Sequence, residues 1–285
     1  MPLFGRSDGD LVRDLPPIRR IVPYLMRTRA GAVVFHDTTY EIARARAWLE
    51  AFNAARPDRP KATLFHLFIW ACARALHARS GLNRFVSGSR IYQRREVTIS
   101  FAAKRGFEDD EPIVTRKFAF AKDEGFAATV DRLVGGISGV RAGKEERADK
   151  EMKLAVHVPG FLLSAALRLL VWLDQVNLLP DSMIRPDPLF ASLFVANLGS
   201  LGLDRVTHHL YEYGNVSLFG ALGVTGPRVV VGEDGAPAVR DTVEVRWSFD
   251  ERINDGFYCA ASLEQVKDVI EDPERVLGTP SAAAG

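Results

Sequence analysis

Apolar positions recur along the 285-residue chain with two spacings, one typical of helices and one typical of strands. The helical spacing predicts three helices, over residues 39–55, 63–79 and 126–140. Runs rich in β-branched and aromatic residues predict strands at 32–35, 91–92, 97–103, 113–114 and 243–249. This mixture favours an α/β domain with a mixed sheet and helices packed over it.

The most apolar segment covers residues 158–180, and Arg168 and Asp174 interrupt it. No uncharged run in it approaches the roughly 18–20 residues that a membrane span needs, so no transmembrane segment is predicted. A buried or interface helix is the simplest interpretation. The wall of a pocket for an apolar acyl chain, or a shallow membrane contact, remains an alternative.

Composition and charge exclude several classes of function. A net charge of +1 gives no reason to expect nucleic acid as a partner. Cys72 and Cys259 lie far apart without metal-ligand spacing, so neither a disulfide framework nor a metal site is predicted. The N-terminus lacks the apolar core of a signal peptide, which favours a cytoplasmic setting.

Two turns carry the residues with the most chemical information. In the first, the strand Val243–Phe249 leads into Glu251, and Asp255 and Gly256 open a helix. Asp255 is in a suitable position to cap that helix. In the second, Asn197 and Gly199 form a tight turn after an apolar strand, which is also plain turn chemistry.

Four stretches resemble, in the same order, the catalytic domain of the 2-oxoacid dehydrogenase dihydrolipoyl acyltransferases, which is related in fold to chloramphenicol acetyltransferase. They are residues 18–26, 62–101, 193–223 and 248–277. The resemblance implies a chloramphenicol-acetyltransferase-like α/β sandwich. It also implies a homotrimer, or a larger assembly of trimers, with substrate channels between subunits.

The domain boundaries follow from composition and from this resemblance. Residues 1–17 are polar and rich in Gly and Asp, which predicts a flexible arm. A single acyltransferase-like domain is expected over 18–278, and a tail over 279–285. Compared with the family, residues 151–190 form an apolar helical insertion.

The resemblance also implies a change in the active site. The family's mechanism uses a histidine as the base for the attacking thiol and a serine hydroxyl that stabilises the oxyanion. These positions hold Glu251 and Ala196 here. A carboxylate is a weak base for a thiol unless burial raises its pKa by several units. In the competing interpretation Glu251 pairs with Arg246, Arg252 or another cation and has no chemical role.

Several residues are candidates to complete the site. His208 and His209 are possible substitute bases, although two adjacent histidines point in different directions. His36, Asn197, Ser200 and Gly256 are expected to border the substrate channel by analogy with the family. Asp255 stands at the position of the residue that forms a salt bridge in the family, and its expected partner is Arg20 or Arg27. A metal site at His209 and Glu212 is a weak possibility, because further ligands would be needed.

These observations lead to two main hypotheses of function, from different classes, and a third possibility. The first is a free-standing acyltransferase that uses coenzyme A or acyl-CoA as substrate, has no bound cofactor and has an altered active site. The second is a catalytically inactive trimeric scaffold or ligand-binding protein. A third possibility is the core subunit of another complex, with residues 158–180 as its docking surface.

Overall fold

A computed structural model describes residues 5–104, 113–141, 158–232 and 234–284. Its strands are β1 (Gly9–Leu11), β2 (Val33–Glu41), β3 (Arg84–Ser87), β4 (Arg90–Arg94), β5 (Val97–Lys104), β6 (Ile113–Phe120), β7 (Leu193–Asn197), β8 (Leu218–Val231) and β9 (Pro237–Asp250). Its helices are α1 (Pro17–Leu25), α2 (Ala43–Ala54), α3 (Leu64–Ala78), α4 (Phe126–Arg141), α5 (Gly160–Gln175), α6 (Asp181–Ile184), α7 (Gly256–Glu271), α8 (Pro273–Leu277) and α9 (Pro280–Ala284).

The strands form one large and one small sheet. The large sheet has six strands in the order β2-β9-β8-β7-β5-β6, and the small one has three in the order β1-β4-β3. In the large sheet β5, β7 and β8 run parallel, and the other neighbouring pairs are antiparallel. The predicted mixed sheet flanked by helices is therefore confirmed.

Alternation along the strands gives the large sheet two different faces, because successive side chains point to opposite sides. On the inner face, Val245, Trp247 and Phe249 of β9 join the main core with α3 and α7. α3 is apolar on all sides, and it is buried almost throughout, as such a helix requires. On the outer face, β7 and β8 contribute a smaller apolar cluster with Leu210 and Val216.

The longest strands, β8 and β9, extend beyond their neighbours. β2 pairs with β9 only as far as Thr242, and β7 pairs with β8 only as far as Leu222. The rest of β8 and β9 forms a two-stranded ribbon in which Val229, Val231 and Val239 are exposed.

The boundary between β2 and α2 differs from the prediction. The predicted helix over 39–55 begins only at Ala43, because residues 39–41 continue β2. Tyr40 pairs with Val243 of β9 and is fully buried. Pairing along β9 therefore determines the conformation here, rather than the helical spacing of the sequence.

The N-terminal segment also differs from the expectation of a flexible arm. Gly9–Leu11 pairs with β4, and Arg6 is buried. The Arg6 guanidinium lies 2.8 Å from the Asp8 carboxylate and 2.7 Å from that of Asp174. The polar composition of this segment reflects buried ion pairs, so its described part belongs to the folded domain.

The apolar segment 158–180 forms α5, but a single chain does not bury it. Phe161 and Trp172 are 74% and 53% exposed. Only its C-terminal end is anchored, where Leu170 and Leu173 pack against Leu179, Ile184 and Phe190. The interpretation as a buried helix is wrong for one chain, and an interface helix remains a prediction. No helix in the described part of the chain has the length and hydropathy that crossing a membrane requires.

Candidate active-site turn

The turn that follows β9 is held between the two sheets. The backbone N–H of Glu251 donates to the Ala32 carbonyl at 2.9 Å. Two residues later, Ile253 is buried with Val86 and Ile91 of the small sheet. The backbone at Glu251 is thus fixed on one side by the turn before β2 and on the other by the small sheet.

Asp255 caps helix α7, as predicted. Its Oδ1 accepts a hydrogen bond of 2.7 Å from the Tyr258 backbone N–H. Its Oδ2 lies 3.6 Å from Nη2 of Arg19, whose Nη1 also donates to the Glu251 carbonyl at 3.0 Å. The arginine partner is Arg19 of α1 and not Arg20 or Arg27. Arg20 is the next residue of the helix and points to a different side, and Arg27 lies beyond the end of the helix.

A glycine in the turn before β3 allows this arrangement. The Gly81 N–H donates to the Tyr258 hydroxyl at 3.1 Å, and a Cβ at Gly81 would lie 2.6 Å from Nδ2 of Asn254. A side chain at position 81 would therefore displace the Asn254 amide and the Tyr258 hydroxyl from their present positions. Gly256, a predicted channel residue, is the first residue of α7 and has open space around it.

The Glu251 carboxylate is not paired with either arginine considered for it. Arg246 pairs with Asp37 of β2. Arg252 pairs with buried Asp250, with contacts of 2.8 and 2.7 Å. Among the residues that the structure describes, no Lys, Arg or His nitrogen lies within 4.0 Å of the Glu251 carboxylate. In a single chain the competing structural role for Glu251 is not observed.

The position of the missing serine lies in an apolar environment. Ala196 is on the outer face of β7, is 9% exposed and is in register with Ala221 of β8. Both belong to the cluster that Phe194, Phe219 and Leu210 form. On the same face Ser248 is in register with Phe219, and its hydroxyl donates to the His208 carbonyl.

The turn after Ala196 uses its polar groups internally. The Ser200 hydroxyl donates to the Asn197 carbonyl at 2.7 Å. Gly202 has a φ of +71°, and a Cβ at Gly199 would lie 2.3 Å from the Gly223 carbonyl oxygen. Both glycines are explained by this turn, and the Ser200 hydroxyl is already committed to it.

The three candidate histidines do not converge on the turn. The His208 ring stacks on Phe219 at 3.9 Å, on the outer face, and the Ser248 hydroxyl donates to the His208 carbonyl. Burial lowers the pKa of His208. His209 stacks on His208 at 4.7 Å. His36 is in register with Trp247 and, by strand alternation, lies on the inner face.

Glu212 has a structural role that the sequence did not reveal. Its two carboxylate oxygens accept hydrogen bonds from the backbone N–H groups of Arg29 and Ala30, at 3.2 and 3.0 Å. These bonds hold the turn before β2, and the Ala32 carbonyl of that turn accepts the Glu251 N–H. They replace the metal-ligand role considered for Glu212 and His209.

A cavity of about 480 Å³ lies beside the turn, between α1 and α5. Its lining includes Tyr24, Arg27, Arg29, Leu170, Glu212 and Arg252. A cavity of this size can hold a small ligand. No sequence signal indicated it, because its walls come from six separate parts of the chain.

Residues 187–278 match the model of the family described as 2-oxoacid dehydrogenases acyltransferase (catalytic domain). This range contains Ala196, the turn after it and the whole Glu251–Gly256 turn. The predicted resemblance to this family is thus confirmed. None of the curated proteins compared matches the chain.

Solved structures extend the likeness to almost the whole chain. A probable dihydrolipoamide acetyltransferase from Listeria monocytogenes is 18% identical, with a TM-score of 0.61, and the match covers 93% of this chain and 95% of that one. The dihydrolipoamide acetyltransferase of Azotobacter vinelandii is 14% identical, also at 0.61, over 93% and 94%. A chloramphenicol acetyltransferase is 11% identical, at 0.56, over 92% and 99%. The fold is that of the chloramphenicol-acetyltransferase-like acyltransferases.

Proposed function

We propose that this protein is an acyltransferase of altered active site, in which acyl-CoA supplies the acyl group and Glu251 takes the place of the family's base. The observation that carries the proposal is the Glu251 carboxylate. It occupies a turn fixed by Arg19, Ala32 and the Asp255 cap, and no described cation neutralises it. Fully buried carboxylates are normally paired, whereas Glu251 is partly exposed and is available to a substrate, as a group that handles protons must be.

The proposed step is the transfer of an acyl group from one thiol to another acceptor. The Glu251 carboxylate takes the proton of the acceptor group, whose heteroatom then bonds to the thioester carbonyl carbon. The C–S bond breaks, and the thiolate of coenzyme A recovers the proton from Glu251.

The Azotobacter relative supports the choice of positions. The description of its structure names a serine, a histidine and an asparagine in the catalytic mechanism, the asparagine four residues after the histidine. By the sequence resemblance, Ala196 and Glu251 occupy the first two positions, and Asp255 follows Glu251 by four residues. We further propose a homotrimer and a cytoplasmic location, as the resemblance and the composition imply.

The test is coenzyme A release by the purified full chain. It uses acyl-CoA donors of several chain lengths with thiol, amine and alcohol acceptors. We expect Glu251→Gln to lower kcat/KM by about 10²-fold or more, the range of a positioned general base. Glu264→Gln, an exposed carboxylate on α7, is the matched control and should leave the rate unchanged.

One observation favours the second candidate, an inactive scaffold or ligand-binding trimer. Ala196 lies among apolar neighbours, and the polar groups in register on the same face, Ser248 and Arg246, are engaged by the His208 carbonyl and by Asp37. One oxyanion donor is worth about 10²–10³-fold in rate. No release above background with any donor, from a protein that assembles, would favour this function. Calorimetry with acyl-CoA would then separate ligand binding from pure scaffolding.

A further inference from the structure

A second cavity, of about 520 Å³, lies at the other end of the large sheet. Lys117 of β6 is part of its wall and sits in register with Ser100 of β5. The Lys117 amine donates hydrogen bonds to the carbonyls of Ile184 at 3.2 Å and Asp187 at 3.3 Å. Both acceptors belong to the α6 region.

Both bonds can be made by an uncharged amine as well as by an ammonium group. A neutral amine has two N–H groups and one lone pair, whereas an ammonium group has three N–H donors and no acceptor. With two N–H groups engaged, the third position of the nitrogen is left for the cavity that Lys117 lines.

The charged groups around the amine do not pair with it. Asp8 binds Arg6, and Asp181 binds Arg185. The Asp187 carboxylate accepts the Tyr213 hydroxyl at 2.8 Å. The remaining charged groups of the lining are Arg94, Arg95 and Glu96. Among the described residues, no carboxylate oxygen lies within 4.0 Å of the Lys117 amine.

Burial favours the uncharged form of this amine. Burial and, to a smaller extent, the charge of Arg94 lower the pKa of Lys117, whereas Asp187, Asp8 and Glu96 act in the opposite direction, and the net pKa is about 8. At pH 7.5 roughly a quarter of such an amine is uncharged. An ordinary lysine, with a pKa near 10.4, is only about 0.1% uncharged.

We propose that Lys117 is an acylation site, whose amine takes the acyl group of an acyl thioester that enters this cavity. The nitrogen lone pair bonds to the carbonyl carbon, the C–S bond breaks, and the leaving thiolate takes up the proton that the nitrogen loses. The products are an amide on Lys117 and a free thiol. Only the choice of a thioester as donor rests on the proposed function.

The test measures acyl occupancy at each lysine of the folded full chain by peptide mass spectrometry. The donors are acetyl-CoA and the acetyl thioester of a small thiol. Lys122, exposed just after β6 in the same chain, is the internal control. At pH 7.5 we expect Lys117 to react about tenfold faster than Lys122 with either donor. Its rate should level off above pH about 8, and its advantage should disappear in denaturant.

Equal occupancy at Lys117 and Lys122 in the folded protein would overturn the inference. So would a Lys117 rate that still rises through pH 9.5. Lys117→Arg should remove the additional acetyl group, and peptide mapping of the natural chain decides the matter even if that variant fails to fold. Glu251→Gln should leave Lys117 labelling unchanged, so the inference and the proposed function fail independently.

Discussion

Ala196 and Glu251 differ in how easily each could recover the chemistry that the family resemblance implies. Glu251 lies in a turn whose backbone is fixed by Ala32 and Arg19, so a new side chain there would keep its position. Ala196 lies on a strand among apolar neighbours, where an added hydroxyl is nearly enclosed. A substitution at either position would change the side chain while the contacts that hold the backbone of the Glu251 turn stay in place.

Restoring both groups should therefore raise activity. We expect the double variant Ala196→Ser, Glu251→His to increase kcat/KM for coenzyme A release by about 10²-fold, since base and oxyanion effects are each of that order and do not add simply. Ala221→Ser with Glu251→His is the matched control, because it places the same hydroxyl one strand away. Equal rates from the two double variants would refute the assignment of position 196.

At the level of residues, the sequence predicts which positions belong to the candidate site but not which residues they contact. The cap at Asp255 was predicted because an acidic residue before a helix satisfies its first N–H groups. Arg19, Glu212 and Gly81 were missed, because their contacts lie more than 170 residues away along the chain. Spacing rules describe neighbours on one element and give no information about contacts between residues that are far apart along the chain.

Helix α3, the central helix of the core, begins with a pair of interactions that depend on pH. The Nδ1 atom of His66 accepts the Thr63 backbone N–H at 3.1 Å and lies 2.8 Å from the Thr63 hydroxyl. This is the geometry of a capping box, with histidine in the usual place of Glu or Gln. Burial lowers the pKa of His66 from 6.5 to about 4.

The free energy of unfolding should consequently fall in mild acid. Unfolded His66 binds a proton near pH 6.5 and folded His66 only near pH 4, so this stability is complete above pH about 6.5 and is lost as the pH falls toward 4. The loss should reach about 3 kcal/mol. Denaturant unfolding between pH 4 and 7 measures it. His66→Gln, which keeps an acceptor but does not titrate, should flatten the dependence, and an unchanged slope would contradict this origin.

The elements themselves were largely predictable, and their errors have physical causes. The limits of α3, α4 and β5 lie within one residue of the predictions, because their apolar spacing and their burial agree. β2 was predicted too short, because pairing with β9 extends it through residues whose spacing favours a helix. The first residues of the predicted insertion, 151–157, lie outside the described part of the chain.

For the whole molecule, α5 is the feature that most clearly needs a partner. Its first ten residues are almost all exposed and mostly apolar, and a helix that is apolar on all sides is normally enclosed. In the homotrimer proposed above, neighbouring copies of the chain would supply that cover. A shallow membrane contact would cover only one side of it.

Weakening this helix should weaken the assembly. We expect Phe161→Ser with Leu169→Ser to shift the mass in sedimentation experiments from a trimer toward a single chain at equal concentration. Val229→Ser with Val239→Ser removes a similar exposed apolar area from the β8–β9 ribbon and is the comparison. A trimer that withstands the α5 changes but not the ribbon changes would place the interface elsewhere.

The ribbon also separates two ends of the molecule. From Pro237 to Asp250 strand β9 runs through 14 residues, a path of about 43 Å at the rise of an extended strand. Glu251 follows one end, and the hairpin after β8 is at the other. A fluorophore or surface tether attached at Gly235 would therefore report on an immobilised molecule without approaching the turn that holds Glu251.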